Sequence, residues 1–180
     1  MLFAPVPVWA AGVCSGLHAA GCRHVVYVPD NPLSHVLRKL RGDYADVKTT
    51  LATREEEAFG IASGLYLGGV RTAVMLQSSG LGNSLNALTS LILPYQMPML
   101  IVISMRGDAG EWNAAQVPMG RAVRAICDAI GMPHATAETP ETTAETLYLV
   151  GQTAFGTRMP GVCLLPRRLT VPAPAKAVSR

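Results

Sequence analysis

Charge is scarce in this chain: only 15% of its 180 residues are Asp, Glu, Lys or Arg, and the formal net charge is +3. The fifteen Lys and Arg are scattered, apart from Arg38-Lys-Leu-Arg41 and Arg167-Arg168, and little aromatic sequence is interleaved with them. That argues against a nucleic-acid partner. Metal-like or redox cysteine spacing is also missing. Cys14, Cys22, Cys127 and Cys163 form no Cys-x-x-Cys, and the four histidines have no ligand-like spacing with them or with each other. Reduced, packed thiols in a cytoplasm are the expectation. No apolar run is long enough to span a bilayer, so no membrane partner is expected. The uncharged stretch from Leu2 to Cys22 lacks a basic start and is broken by Pro5, Pro7, Gly12 and Gly16, so it reads as a buried first helix rather than a leader. Internal repeats and low-complexity linkers within the domain are absent as well.

What the chain does have is apolar material, 49% of its residues, enough for the core of one domain. Short runs rich in β-branched residues recur at 24–28, 47–51, 72–76, 99–105, 133–136 and 161–165. Between them, 6–20, 33–40, 55–67, 84–93, 115–130 and 141–155 carry Ala, Leu and Met at helical spacing. The alternation predicts an α/β fold: a doubly wound, mostly parallel sheet of about six strands with helices on both faces. The domain is expected over 1–168 and an extended C-terminal tail over 169–180. Ligands of such sheets sit outside the carboxyl ends of the strands, which directs attention to the turns after Val28, Leu51, Leu76 and Met105.

All four turns are polar. Thr53 and Glu56 have the spacing of a capping box, which leaves Glu55 and Glu57 without a structural role, although three acids also suit the positive end of a helix dipole. Farther along that helix, Ala58, Gly60, Ala62, Ser63 and Gly64 are small enough to invite a close neighbour. Gln77-Ser-Ser-Gly-Leu-Gly-Asn83 follows a strand and opens a helix. It lacks both the full dinucleotide fingerprint and the Lys-Ser/Thr of a phosphate loop, so its glycines could simply make the turn, and Ser79 or Asn83 could be caps. Asn31 before Pro32 reads as an N-cap, leaving Asp30 to face the crevice. Arg106 opens a long loop that could form a lid; it could meet an anionic substrate, or pair at the surface with Asp108 or Glu111. His18 and His24 read as structural.

Three ordered segments then carry a resemblance. Ala52-Thr-Arg-Glu-Glu-Glu-Ala-Phe-Gly-Ile-Ala-Ser-Gly64, Ser79-Gly-Leu-Gly-Asn83 and Gln116-Val-Pro-Met-Gly120 resemble the pyrimidine-binding domain of thiamine diphosphate-dependent 2-oxoacid decarboxylases. Within that family the chain looks most like the α subunits of sulfopyruvate decarboxylases and the equivalent part of phosphonopyruvate decarboxylases. The similarity runs from the first helix through Pro166. It implies that Glu55 is the catalytic residue, bonded to a ring nitrogen of the cofactor's aminopyrimidine and favouring its imino tautomer. It implies too that Ser79, Gly80 and Asn83 line the pyrimidine pocket, that Asp30 and Asn31 lie near the substrate, and that Gln116 lies near the reacting carbons. Arg106, or basic residues of a partner, would meet the sulfonate or phosphonate of a small anionic 2-oxoacid.

The family holds Mg2+ and diphosphate on a second domain through Gly-Asp-Gly and a later Asn. Gly42-Asp-Tyr44 and Gly107-Asp-Ala109 lack that pattern. The resemblance therefore implies no metal ligand here and a separate β subunit, in an α2β2 or higher heteromer, that carries the metal. Arg54, Glu56 and the loop Ala109-Gly-Glu-Trp-Asn113 depart from the family pattern. A carboligase subunit, a non-catalytic subunit that organises a partner, and an orphan nucleotide-binding domain stand as alternatives to a decarboxylase.

Overall fold

The structure is a computed structural model and describes residues 5–171. The chain runs α1 (Val8–Ala19), β1 (His24–Tyr27), α2 (Leu33–Asp43), β2 (Lys48–Leu51), α3 (Glu55–Leu67), β3 (Thr72–Gln77), α4 (Ser78–Asn83) and α5 (Leu85–Ala87). A π-helical turn (Leu88–Ile92) precedes β4 (Leu100–Ser104). A 3-10 turn (Ala114–Gln116) then leads into α6 (Val117–Ala129), β5 (His134–Thr136), α7 (Thr143–Thr157), β6 (Gly161–Leu165) and α8 (Arg167–Thr170). The strands form one sheet in the order β2-β1-β3-β4-β6-β5, with every pairing parallel.

The apolar strands are fully buried because alternate side chains feed two different cores. Val25, Tyr27, Ala73, Met75, Leu100, Val102, Cys163 and Leu165 face one side, where Trp9, Val13 and Leu17 of α1, Leu33 and Val36 of α2 and Leu147 of α7 cover them. Val26, Val74, Leu76, Ile101, Ile103, Val162 and Leu164 face the other, under Phe59 and Ala62 of α3, Leu81 of α4 and Val123 and Cys127 of α6. A strand with no solvent face must be apolar at both parities. All four cysteines are free and buried, and burial pushes the Cys22 and Cys163 thiols up to about 12.

Two elements differ from the sequence expectation. The segment expected as one helix over 84–93 begins at Ser78, directly off β3, and reaches Ile92 in three pieces. Gln77 makes the early start, its side-chain Oε1 accepting from the Ser79 amide at 2.9 Å. At the other end, Arg167–Thr170 forms a helical turn across the expected boundary between domain and tail at 168 and 169, while 172–180 lie outside the described residues. Among the described residues, no helix is long and apolar enough to cross a membrane.

Candidate active site

Two groups of polar residues stand at the carboxyl ends of the strands. The first begins at Glu55, the opening residue of α3, where three acids meet the positive end of the helix. Thr53 does not form its capping box with Glu56. Its hydroxyl and amide both donate to Glu57 Oε2, at 2.5 and 2.7 Å. Arg54 is the cap residue, so Thr53 lies one position outside the helix and the acid within its reach is one residue later. The Thr53 hydroxyl, and then its amide, hold the Glu57 carboxyl below the usual range. Glu56 is left in a loose 3.6 Å pair with Arg54.

Glu55 points elsewhere, toward α4. Its Oε2 accepts from Asn83 Nδ2 at 3.1 Å. Gly80 forms the wall behind it: a Cβ there would lie 2.3 Å from Glu55 Cγ, so only glycine leaves the side chain its present position. Glu55, Gly80 and Asn83 are thus brought together across α3 and α4. Ser79 is exposed, with its amide on Gln77, and its side chain does not join that trio.

The second group surrounds a cleft of about 350 Å³ whose lining includes Asn31, His35, Arg106, Trp112, Gln116 and Arg167. Asn31 takes part in the α2 start through its carbonyl, which accepts from the Ser34 amide and hydroxyl, and Pro32 is the cap residue. The expected side-chain cap is replaced by this turn. Asp30 is not free in the crevice either. Its Oδ2 accepts from the Ser104 hydroxyl and its Oδ1 from Arg106 Nη2, both at 2.6 Å. The Asp30 and Arg106 side chains are 8% and 13% exposed, a part-buried pair rather than the surface pair with Asp108 or Glu111.

Those two acids serve the loop instead. Asp108 faces Arg124 at 3.7 Å and accepts from the Arg167 amide, while Glu111 accepts from Arg167 Nη1 at 3.4 Å. Burial raises the Glu111 carboxyl, but the Asn113 amide and the Arg167 guanidinium outweigh it and hold the group below its ordinary range. Gly107, at φ +76°, lies against α6 at Gly120, where a Cβ would fall 2.0 Å from the Arg106 carbonyl oxygen. The loop expected as a lid is therefore tied at both ends, with Trp112 84% exposed at its crest. Burial, then the Arg38 charge, hold the His35 imidazole below its usual range.

Gln77, Ser104, His35 and Arg167 were not legible as site residues. Ser104 left one faint signal, a lone hydroxyl closing an otherwise apolar strand. Ser78 Oγ accepts the Arg106 amide at 3.3 Å and so links the first residue of α4 to the second group.

A family model described as thiamine pyrophosphate enzyme, N-terminal TPP binding domain, matches residues 9–124. The chain belongs to this family. The sulfopyruvate decarboxylase subunit alpha of Methanococcus maripaludis is 38% identical to it over 146 residues, 81% of this chain and 87% of that protein. The subunit of the same name from Methanocaldococcus jannaschii is 45% identical over 114 residues, 63% of this chain and 67% of its own. The phosphonopyruvate decarboxylase of Streptomyces viridochromogenes is 32% identical over 171 residues, covering 93% of this chain and 42% of its own.

In the first polar group Glu55 Oε2 is engaged by Asn83, and the wall at Gly80 has no side chain of its own. Among the described residues, no group of three or more His, Cys, Asp or Glu side chains could hold a metal ion.

Proposed function

We propose that this chain is the α subunit of a heteromeric thiamine diphosphate-dependent decarboxylase. Its substrate is a 2-oxoacid with a sulfonate or phosphonate on the third carbon, sulfopyruvate or phosphonopyruvate, and its products are the aldehyde and CO2. The observation that carries the reading is the Glu55 carboxyl at the α3 start, fixed by Asn83 against the bare wall of Gly80. When bound, thiamine diphosphate supplies the nucleophile and the electron sink for loss of CO2.

This chain's part is to position and to manage one proton. Glu55 Oε1 holds that proton against the aminopyrimidine ring nitrogen, while Asn83 fixes the rotamer through Oε2. Ser79 and Gly80, beside it on α4, form the rest of the pyrimidine wall. Asn31, Gln116 and Arg106 line the cleft that takes the 2-oxoacid, with Asp30 behind Arg106. Mg2+ and the diphosphate belong to a β subunit in an α2β2 or higher assembly. The relatives' names, which call them alpha subunits, support that division of labour. A cytoplasmic setting belongs to the same reading and accords with four free, buried thiols.

The test is decarboxylation of sulfopyruvate, phosphonopyruvate and pyruvate by this chain, alone and co-expressed with the product of its neighbouring gene, with Mg2+ and thiamine diphosphate. Activity only with the neighbour is expected. Silence in every combination, with both proteins folded and cofactor bound, would turn the reading toward carboligation or a non-catalytic subunit.

A further inference from the structure

Sulfopyruvate and phosphonopyruvate each carry an anionic group at both ends, and the 350 Å³ cleft has two arginines in its wall, Arg106 and Arg167. The two are not equally engaged. Arg106 donates to Asp30 at 2.6 Å. Arg167, at the start of α8, donates from Nε to the Gly110 carbonyl at 3.0 Å, while its Nη1 reaches Glu111 Oε2 only at 3.4 Å. Its Nη2 makes no hydrogen bond among the described residues. Arg106 Nε is the one buried side-chain donor among them without a partner, so the unbonded Nη2 of Arg167 is open to solvent. Glu111 stays in place by other means: its side chain is 3% exposed and its Oε1 accepts from the Asn113 amide at 3.1 Å. Both arginines act on its charge. Two guanidiniums and their two carboxylates, Asp30 and Glu111, thus cancel, and an anion that enters has to draw a cation away from its acid. The longer pair is the weaker hold.

We propose that Arg167 is a specificity-determining residue: its Nη2 donates to an oxygen of the sulfonate or phosphonate, and the Glu111 carboxylate competes with the substrate for the guanidinium. The inference rests on the reading of the cleft as the 2-oxoacid site. The group on the third carbon, and not the carboxylate, is the one matched to a cation. A cation on the carboxylate stabilises the ground state and loses its partner as neutral CO2 departs, whereas a cation on the retained group binds alike throughout.

The experiment uses the assembled complex with its partner subunit. Arg167→Gln keeps the backbone bond to Asp108. It is expected to raise the KM for sulfopyruvate about tenfold or more, the size of one charge-assisted hydrogen bond. Calorimetric binding of sulfopropanoate, which has both anionic ends but no 2-oxo group, weakens by the same factor, while that of propanoate does not change. Arg167→Lys, which keeps the charge without the fork, recovers part of the loss. Glu111→Gln, which keeps an oxygen for the Asn113 amide, acts in the opposite direction: sulfopropanoate binds about two- to fivefold more tightly once the competing charge is gone. An arginine that only tied the loop would weaken binding in both variants, since each breaks the same contact. If the complex prefers phosphonopyruvate, phosphonopropanoate replaces sulfopropanoate. Unchanged sulfopropanoate affinity in Arg167→Gln, equal losses there for sulfopropanoate and propanoate, or unchanged or weaker binding in Glu111→Gln would each overturn the inference. So would a parent complex that binds sulfopropanoate no better than propanoate. Should Arg167→Gln fail to assemble, the sign of the Glu111→Gln change decides. If the parent complex binds sulfopropanoate but decarboxylates no 2-oxoacid, it is the decarboxylase reading that fails, and the binding comparison still decides the role of Arg167.

Discussion

Gly80→Ala would place a methyl group 2.3 Å from Glu55 Cγ, 2.7 Å from Cδ and 2.8 Å from Oε1. Carbon atoms sit best about 3.5–4.0 Å apart, so the contact has to be relieved. The three nearest atoms all belong to the Glu55 side chain, which can turn once its bond to Asn83 is given up, so the backbone of α4 need not move. The stability terms nearly cancel. Alanine gains about 0.8–1.0 kcal/mol over glycine inside a helix. Against that stand about 0.5–1.5 kcal/mol for the hydrogen bond lost between Glu55 and Asn83, and a similar amount if Glu55 settles off its rotamer. The expected net change is a loss of about 1 kcal/mol or less, a shift of about 2–4 °C in melting temperature for a domain of this size.

Activity should respond on another scale. Displacing a catalytic carboxyl by about 1 Å costs on the order of 100-fold in rate. Gly80→Ala is therefore expected to melt close to the parent and to turn over about two orders of magnitude more slowly with the partner subunit and saturating cofactor. Thermal unfolding followed by circular dichroism and the decarboxylation rate together decide the matter. Parent-like turnover would refute the placement of Glu55. A fall in melting temperature of more than about 10 °C would show that the backbone yielded instead of the side chain.

Glu55→Gln should leave assembly intact and lower turnover by about 100-fold or more, because the amide cannot hold and release the same proton; near-normal turnover removes Glu55 from the chemistry. Glu57 offers a pH test with a definite sign. Its folded carboxyl lies below the unfolded value, so its contribution is present above the unfolded carboxylate range and is lost as pH falls through the folded pKa. Glu57→Gln should therefore lower the melting temperature at neutral pH, with the gap to the parent closing in acid. Glu56→Gln, which loosens only an exposed 3.6 Å pair, should leave it unchanged, and equal losses for the two variants would contradict the assignment of the cap. Gly120→Ala drives a methyl to 2.0 Å from a backbone oxygen, with no flexible side chain to give way. A loss of about 1–3 kcal/mol in denaturant unfolding is expected, together with weaker substrate binding because Arg106 shifts; a variant as stable as the parent would show that the loop moves freely.

The difference between Glu55 and Asp30 shows where sequence reasoning reaches. The strands were legible because burial on both faces forces continuous apolar runs, as in Leu100-Ile-Val-Ile103. That Glu55, Gly80 and Asn83 lie together was expected from the resemblance carried by their two short segments, and the structure does bring the three side by side. Register at a helix start is a finer matter. The two candidate acids for Thr53 differ by one residue, and the choice depends on whether Thr53 or Arg54 takes the cap conformation. Arg54 takes it, in an extended conformation at φ -142° and ψ 156°. The small face of α3 divides in the same way. Ala58, Ala62 and Ser63 pack inside this chain, while Gly60 and Gly64 face outward, with nothing among the described residues within 4 Å of an added Cβ.

The bonds that organise the cleft were beyond local reading altogether. Asp30 and Ser104 are 74 positions apart and Asp30 and Arg106 are 76 apart, so their meeting depends on β3 lying between β1 and β4 in the sheet. Local reading offered Arg106 either an anionic substrate or the nearest acids, Asp108 and Glu111, whereas the fold gives those acids to Arg124 and Arg167. The exchange has a physical consequence for function. Paired at the surface, Arg106 would be screened by solvent and cheap to lose. Paired with a part-buried Asp30, it is held in the cleft wall, and removing either partner leaves the other's charge short of solvent and of its counter-ion. The residues expected near the substrate are therefore also part of what holds the carboxyl ends of β1 and β4 in place, so Asp30→Ala has to be judged by its stability as well as its rate. Asp30→Asn, which keeps the shape and loses the charge, is the cleaner variant. If Asp30 acts on the substrate side, this variant slows turnover while the complex keeps its affinity for thiamine diphosphate; loss of cofactor affinity would place Asp30 with Glu55 instead.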